Sequence, residues 1–104
     1  FSFGGHIALR ASTRSGVNPA RLITVAPAFT RHYASASEIL VPSCPWLVIQ
    51  GDADEVIDPQ GVLAWCAALQ PPPRMAVLPG VGHFFHGRLN ELRDAATAFL
   101  NAAA

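Results

Sequence analysis

Three short apolar runs, each closed by Pro or Gly, constrain this chain more than any other feature. Arg21-Leu22-Ile23-Thr24-Val25 leads to Pro27, Trp46-Leu47-Val48-Ile49-Gln50 stops at Gly51, and Met75-Ala76-Val77-Leu78 stops at Pro79-Gly80. Runs this short, between turn residues, read as strands, the first of them buried on both faces. The stretches around them carry helical spacing. Phe3 to about Ser15 reads as a helix with Ile7, Ala8 and Ala11 as its buried stripe and Ser15-Gly16 as its close. Gly5 and Ala8 leave room for that helix to lie close on a sheet. A short helix is expected around Tyr33–Leu40. Asp58-Pro59 reads as an N-cap followed by Pro at the first helical position, opening a helix to about Leu69 that buries Val62, Cys66 and Leu69. Pro71-Pro72-Pro73 ends it. A last helix, from about Arg88 to Asn101, should bury Leu89, Leu92, Ala96, Phe99 and Leu100. Strands alternating with helices imply an α/β fold: a mostly parallel sheet with right-handed crossovers and helices on both faces.

Composition narrows the function. At 104 residues the chain is at most one domain, and 51% hydrophobic against 13% charged residues is rich in apolar material for a small free-standing one. That fits part of a larger core. Seven arginines, no lysine and seven acidic residues give zero net charge, so neither nucleic acid nor an anionic membrane is an expected partner. Pro or Gly interrupts every apolar stretch within about ten residues, too soon to span a bilayer. Cys44 and Cys66 form no C-x-x-C pair and read as reduced, buried thiols, which points to the cytoplasm.

In parallel sheets the chemistry gathers in loops at the carboxyl ends of the strands. Phe1-Ser2-Phe3-Gly4-Gly5, immediately before the first helix, has the form of the right-hand half of a G-x-S-x-G nucleophile elbow. In such an elbow Ser2 sits at a strained strand-to-helix corner with its hydroxyl projecting above the sheet. Gly4 supplies the small residue needed two positions after it. Asp54 lies in Gly51-Asp52-Ala53-Asp54-Glu55-Val56, after the second run, and His83 in Pro79-Gly80-Val81-Gly82-His83-Phe84-Phe85, after the third. A serine hydroxyl needs a base to take its proton as it attacks, and a histidine of ordinary pKa, about 6.5, can do so at neutral pH. Asp54 would accept from the other ring nitrogen and hold the tautomer. The Phe3 N–H, opening the helix, would donate to the oxyanion. Asp52 and Asp58 compete for the acid's place, Asp52 as a turn residue and Asp58 as a helix cap. His86 competes for the base's. His6 and His32 read as structural or surface residues. Phe84 and Phe85 could shape an acyl pocket, though packing explains them too. Arg31, His32 and Tyr33 leave the first strand's carboxyl end as a solvated loop or as substrate contacts.

The pieces Ser2-Phe3-Gly4-Gly5, Gly51–Pro59 and Pro79–Phe85, in the order nucleophile, acid, base, resemble the C-terminal half of an α/β-hydrolase. The chain is similar to small bacterial serine hydrolases with a dienelactone-hydrolase-like core. The resemblance implies Ser2 as nucleophile, Asp54 as acid and His83 as base, in a hydrolase of small carboxylic esters that needs no cofactor and no metal. It also implies that residues 1–104 are the C-terminal part of a single domain, whose N-terminal strands and second oxyanion donor precede Phe1 as a partner segment. The eighteen or so residues from Pro27 to Pro45 leave no room for a lid domain, so an open, shallow cleft is expected. Two alternatives stand beside this reading. One is a non-catalytic interaction half that needs its N-terminal segment, since an unpaired apolar strand edge demands a partner. The other is a metal-dependent hydrolase using His83, His86, Asp52 and Asp54, residue types that bind metals but here without a sequence-local ligand pattern.

Overall fold

A computed structural model describes residues 1–14, 16, 18–33 and 39–102. In chain order the elements are α1 (Phe3–Ser12), β1 (Leu22–Val25), α2 (Phe29–His32), β2 (Trp46–Gly51), α3 (Pro59–Ala67), β3 (Arg74–Leu78) and α4 (Leu89–Ala102). The strands form one parallel sheet in the order β1-β2-β3, with Leu22 beside Trp46 and Leu47 beside Arg74.

Alternation along the strands sorts the side chains into two cores. Leu22, Trp46 and Val48 face one way and pack with Leu9 of α1, Phe29 of α2, and Val62, Trp65 and Cys66 of α3. Leu47 and Ile49 face the other way, against Phe99 of α4, Val81 and Phe85. The sheet is thus covered on both faces, as the run-and-helix alternation implies. β2 is central and buried throughout, which is why its sequence is nearly all apolar. β3 is an edge strand and mostly open, so it tolerates Arg74 at its start. On the first face, Phe29 stacks on Trp65 at 4.5 Å between ring centroids and meets Trp46 edge-on at 5.8 Å.

Several local expectations need correction. Helix α1 ends at Ser12, earlier than expected. Its buried face carries Gly5, His6 and Leu9, whereas Ile7 and Ala11 are exposed and Ala8 half-buried. The reason is phase: α1 meets the sheet where Gly5 passes the end of β1, and Leu9 follows one turn later on the same line. A Cβ added at Gly5 would come within 3.0 Å of Pro27 Cβ, but one added at Gly4 would touch nothing within 4 Å. Among the described residues the close approach therefore falls at Gly5. The short helix after β1 is Phe29–His32; Ile39 and Leu40 are not helical, and residues 34–38 of the expected Tyr33–Leu40 helix lie outside the described residues. Leu89 and Leu100 are exposed, because α4 turns only the line of Leu92, Ala95, Ala96 and Phe99 to the sheet. Asp58 caps α3 as expected, accepting from the Gln60 N–H at 3.2 Å.

Candidate active site

Ser2 lies at the corner before α1, with φ 49° and ψ −119°. A positive φ is strained for any residue but glycine, at a typical cost of about 1–3 kcal/mol. The surroundings hold it there. The Ser2 N–H donates to the Val25 carbonyl at 2.8 Å, and the Ser2 carbonyl accepts from Gly5 and Ala28. Ser2 is thereby tied to the carboxyl end of β1, on the side away from β2. The Phe3 N–H opens α1 at the positive end of the helix, where first-turn N–H groups have no intrahelical partner.

The other two loops are laced to each other. A Cβ at Gly51 would lie 2.1 Å from the Val81 carbonyl oxygen, so only glycine lets the loop after β3 cross the end of β2. Across that crossing the Ala53 N–H donates to Val81 and the Asp52 N–H to Leu78, both at 3.1 Å. The Asp52 carboxylate accepts from the Gly80 N–H at 2.7 Å, which gives this residue a structural place. Gly80 adopts φ 71°, so the loop turns back over the sheet. Phe85, at φ 57°, sends its ring into the second core and anchors the loop from below. His83 is left between these two fixed points, 2% exposed.

Asp54 is 8% exposed and accepts four hydrogen bonds. Its Oδ1 receives the N–H groups of Val56 at 2.8 Å and Ile57 at 2.7 Å; its Oδ2 receives His83 Nδ1–H at 2.8 Å and Gln50 Nε2–H at 3.1 Å. Burial works against the charged form. The Ile57 N–H, the His83 ring, the Val56 N–H and the Gln50 amide together outweigh it and hold the carboxyl below its ordinary value. Because Nδ1 donates to Asp54, the other ring nitrogen, Nε2, is the acceptor, and it lies 3.0 Å from Ser2 Oγ. Serine, imidazole and carboxylate form one hydrogen-bonded line through three loops at the sheet's carboxyl rim.

The competing residues fall elsewhere. Asp58 is spent on the α3 cap. His86 is exposed and points to no member of the line. Among the described residues no three metal-ligand types converge. Phe84 and Phe85 separate: Phe85 is core, whereas Phe84 is 56% exposed and set edge-on to the His83 ring at 4.8 Å. Phe1 covers another side of that ring at 5.3 Å. His6 and His32 stack at 3.7 Å, with Phe3 edge-on to both. Partial desolvation, then His6, Arg31 and Arg10, hold His32 below its ordinary value. Arg31 donates to the Val56 carbonyl at the loop that carries Asp54, a link the residue pattern did not reveal. In the sequence Gln50 stands simply as the last residue of the Trp46–Gln50 run. The signal available was an amide at the end of an otherwise apolar run.

The same arrangement of strands and helices occurs in solved structures. The chain superimposes on XC6422 of Xanthomonas campestris, described as an α/β serine hydrolase without a lid, with a TM-score of 0.86 and 40% identity over 98% of its residues. An α/β serine hydrolase homologue from Coxiella burnetii matches the whole chain at 37% identity and a TM-score of 0.79. ATU1826 of Agrobacterium tumefaciens, a protein of unknown function, matches at 26% identity and a TM-score of 0.80 over 97% of the chain. The chain carries the C-terminal half of the α/β-hydrolase fold, the fold of these structures. It spans 44% to 47% of the length of these three structures. No protein-family model and no functionally curated protein matches the sequence.

Proposed function

We propose that the complete protein is a serine hydrolase of small carboxylic esters, working through an acyl-enzyme, with Ser2 as nucleophile, His83 as general base and Asp54 as the acid that orients it. The observation that carries this reading is the continuous line from Ser2 Oγ through His83 to Asp54, at 3.0 and 2.8 Å. His83 Nε2 takes the hydroxyl proton as Ser2 Oγ attacks the ester carbonyl. The imidazolium that forms is stabilised by the carboxylate behind it. The proton then passes to the leaving alkoxide, and the acyl group stays on Ser2 until water, activated by the same imidazole, releases the acid. The Phe3 N–H, at the head of α1, is the donor we assign to the oxyanion. A second donor would come from the N-terminal segment that completes the domain of which residues 1–104 are the C-terminal part.

XC6422 is described as lidless, and the short connection from β1 to β2 supports the same for this protein. An open cleft favours small or exposed esters over long acyl chains. Two free cysteines support a reducing compartment, which we take to be the cytoplasm. A panel of p-nitrophenyl esters of increasing acyl length tests the reading. Activity highest for short chains, lost in Ser2→Ala and untouched by EDTA is expected. Turnover that persists in Ser2→Ala, or that EDTA abolishes, would overturn it, the second outcome in favour of a metal-dependent hydrolase.

A further inference from the structure

Gln50 is the penultimate residue of β2, and the four before it are Trp, Leu, Val and Ile. Its side chain is entirely buried, on the face that carries Trp46 and Val48. Burying an amide is costly unless its polar atoms are paired. Here they are half paired: Nε2 donates to Asp54 Oδ2 at 3.1 Å and to the Gly51 carbonyl at 3.0 Å, while Oε1 has no partner among the described residues. An aliphatic side chain would fill the same place without burying an unpaired Oε1, so packing does not account for the amide. Its orientation is set by its neighbours. Turned over, the amide would face its oxygen to two acceptors, the Asp54 carboxylate and the Gly51 carbonyl.

We propose that Gln50 is a positioning residue for the Asp54–His83 pair. It donates to the same carboxylate oxygen that receives His83 Nδ1–H, fixes that oxygen toward the ring and tempers its hold on the imidazolium. Val56 and Ile57 pin Oδ1, so with Gln50 on Oδ2 the carboxylate has no freedom to rotate away from His83. The other carboxylates near these loops are Glu55, set against Gly82, and Asp52, bonded to Gly80; neither is hydrogen-bonded to Gln50. Their influence is therefore unchanged when residue 50 is varied.

The inference rests on the Ser2–His83–Asp54 reading, and the experiment separates the two. In the complete protein, kcat/KM for p-nitrophenyl acetate is measured against pH for the wild type, Gln50→Met, Gln50→Glu and Ser2→Ala. The acid limb reports the base of the free enzyme. Removing the amide donor leaves Oδ2 to His83 alone and strengthens the imidazolium, so in Gln50→Met the limb moves to higher pH by about half a unit. In Gln50→Glu the buried carboxyl, set against Asp54, stays protonated and donates to Oδ2 in the amide's place, so the limb stays near its wild-type position. KM changes less than about twofold, because residue 50 is away from the open side of the site. A merely structural glutamine would lower thermal stability and leave the limb where it is. An unmoved limb in Gln50→Met, or a limb raised as far in Gln50→Glu as in Gln50→Met, with Ser2→Ala inactive, would overturn the role of Gln50 and leave the triad intact. An active Ser2→Ala would overturn both. Should both variants fail to fold, side-chain amide NMR of the wild type decides: a slowly exchanging Gln50 amide that shifts as His83 titrates supports the role, and a fast-exchanging, invariant one refutes it.

Discussion

At the scale of single residues, the central question is which side chains share a proton. Ser2→Ala and His83→Ala are each expected to lower kcat/KM by about 10⁴–10⁶, Asp54→Asn by about 10⁴, and the triple variant by little more than the worst single one. Steady-state kinetics on the three singles and the triple checks this; additive losses would mean the groups do not act as a unit. Asp54 also links stability to pH. Its carboxyl is held below the ordinary value of 3.8, so it binds protons more weakly folded than unfolded. The stability it contributes is complete above about pH 4 and is lost as pH falls from there through the lower folded value. Asp54→Asn does not titrate, so its stability should fall less steeply with acid across that window, as urea denaturation at stepped pH would show. As candidates, Asp54 and His83 could be named from the sequence because each follows a strand-like run, and Ser2 because Ser2-Phe3-Gly4 opens the first helix in the form of a nucleophile elbow. Gln50 and Arg31 could not. Their parts depend on hydrogen bonds between segments, Gln50 to a carboxylate four residues on and Arg31 to a carbonyl beyond a whole strand.

At the scale of elements, the strands were legible because Pro and Gly bound them and burial on both faces leaves little choice of residue. The faces of α1 and α4 were less so. Small residues such as Ala8 and Ala11 fit either side of a helix, and the line that meets the sheet is set by where the helix crosses it. Gly51 makes the most specific demand of any loop position. Gly51→Ala places a Cβ 2.1 Å from the Val81 carbonyl oxygen, and overpacking of this kind costs about 1–3 kcal/mol or more. Because the crossing carries both the Asp54 and His83 loops, the variant should lose activity out of proportion to its loss of stability; thermal melts beside kinetics distinguish this from simple unfolding. Asp58→Ala removes the α3 cap and should cost about 1 kcal/mol in denaturant unfolding, with kcat/KM nearly unchanged. A large kinetic effect there would show that α3 is coupled to the site.

At the scale of the whole molecule, the sheet has two unequal ends. β3 is short, open and starts with an arginine, a protected kind of edge. β1 is half-buried, and beyond it the Ser2 N–H bonded to Val25 adds one further rung. The chain matches just under half the length of its structural relatives, and the β1 side is where we place the rest of the domain. An exposed apolar strand edge seeks a partner, so residues 1–104 alone should self-associate in a concentration-dependent way in sedimentation velocity. A clean monomer at high concentration would argue that β1 needs no neighbour. The claim on which the rest depends is that Ser2 is activated by His83 and Asp54, and its most direct test is covalent. The complete protein is treated with an alkyl fluorophosphonate and the adduct located by peptide mass spectrometry. Modification of Ser2 alone, abolished in His83→Ala, is the predicted result; an unmodified Ser2 in protein that still hydrolyses esters would contradict it.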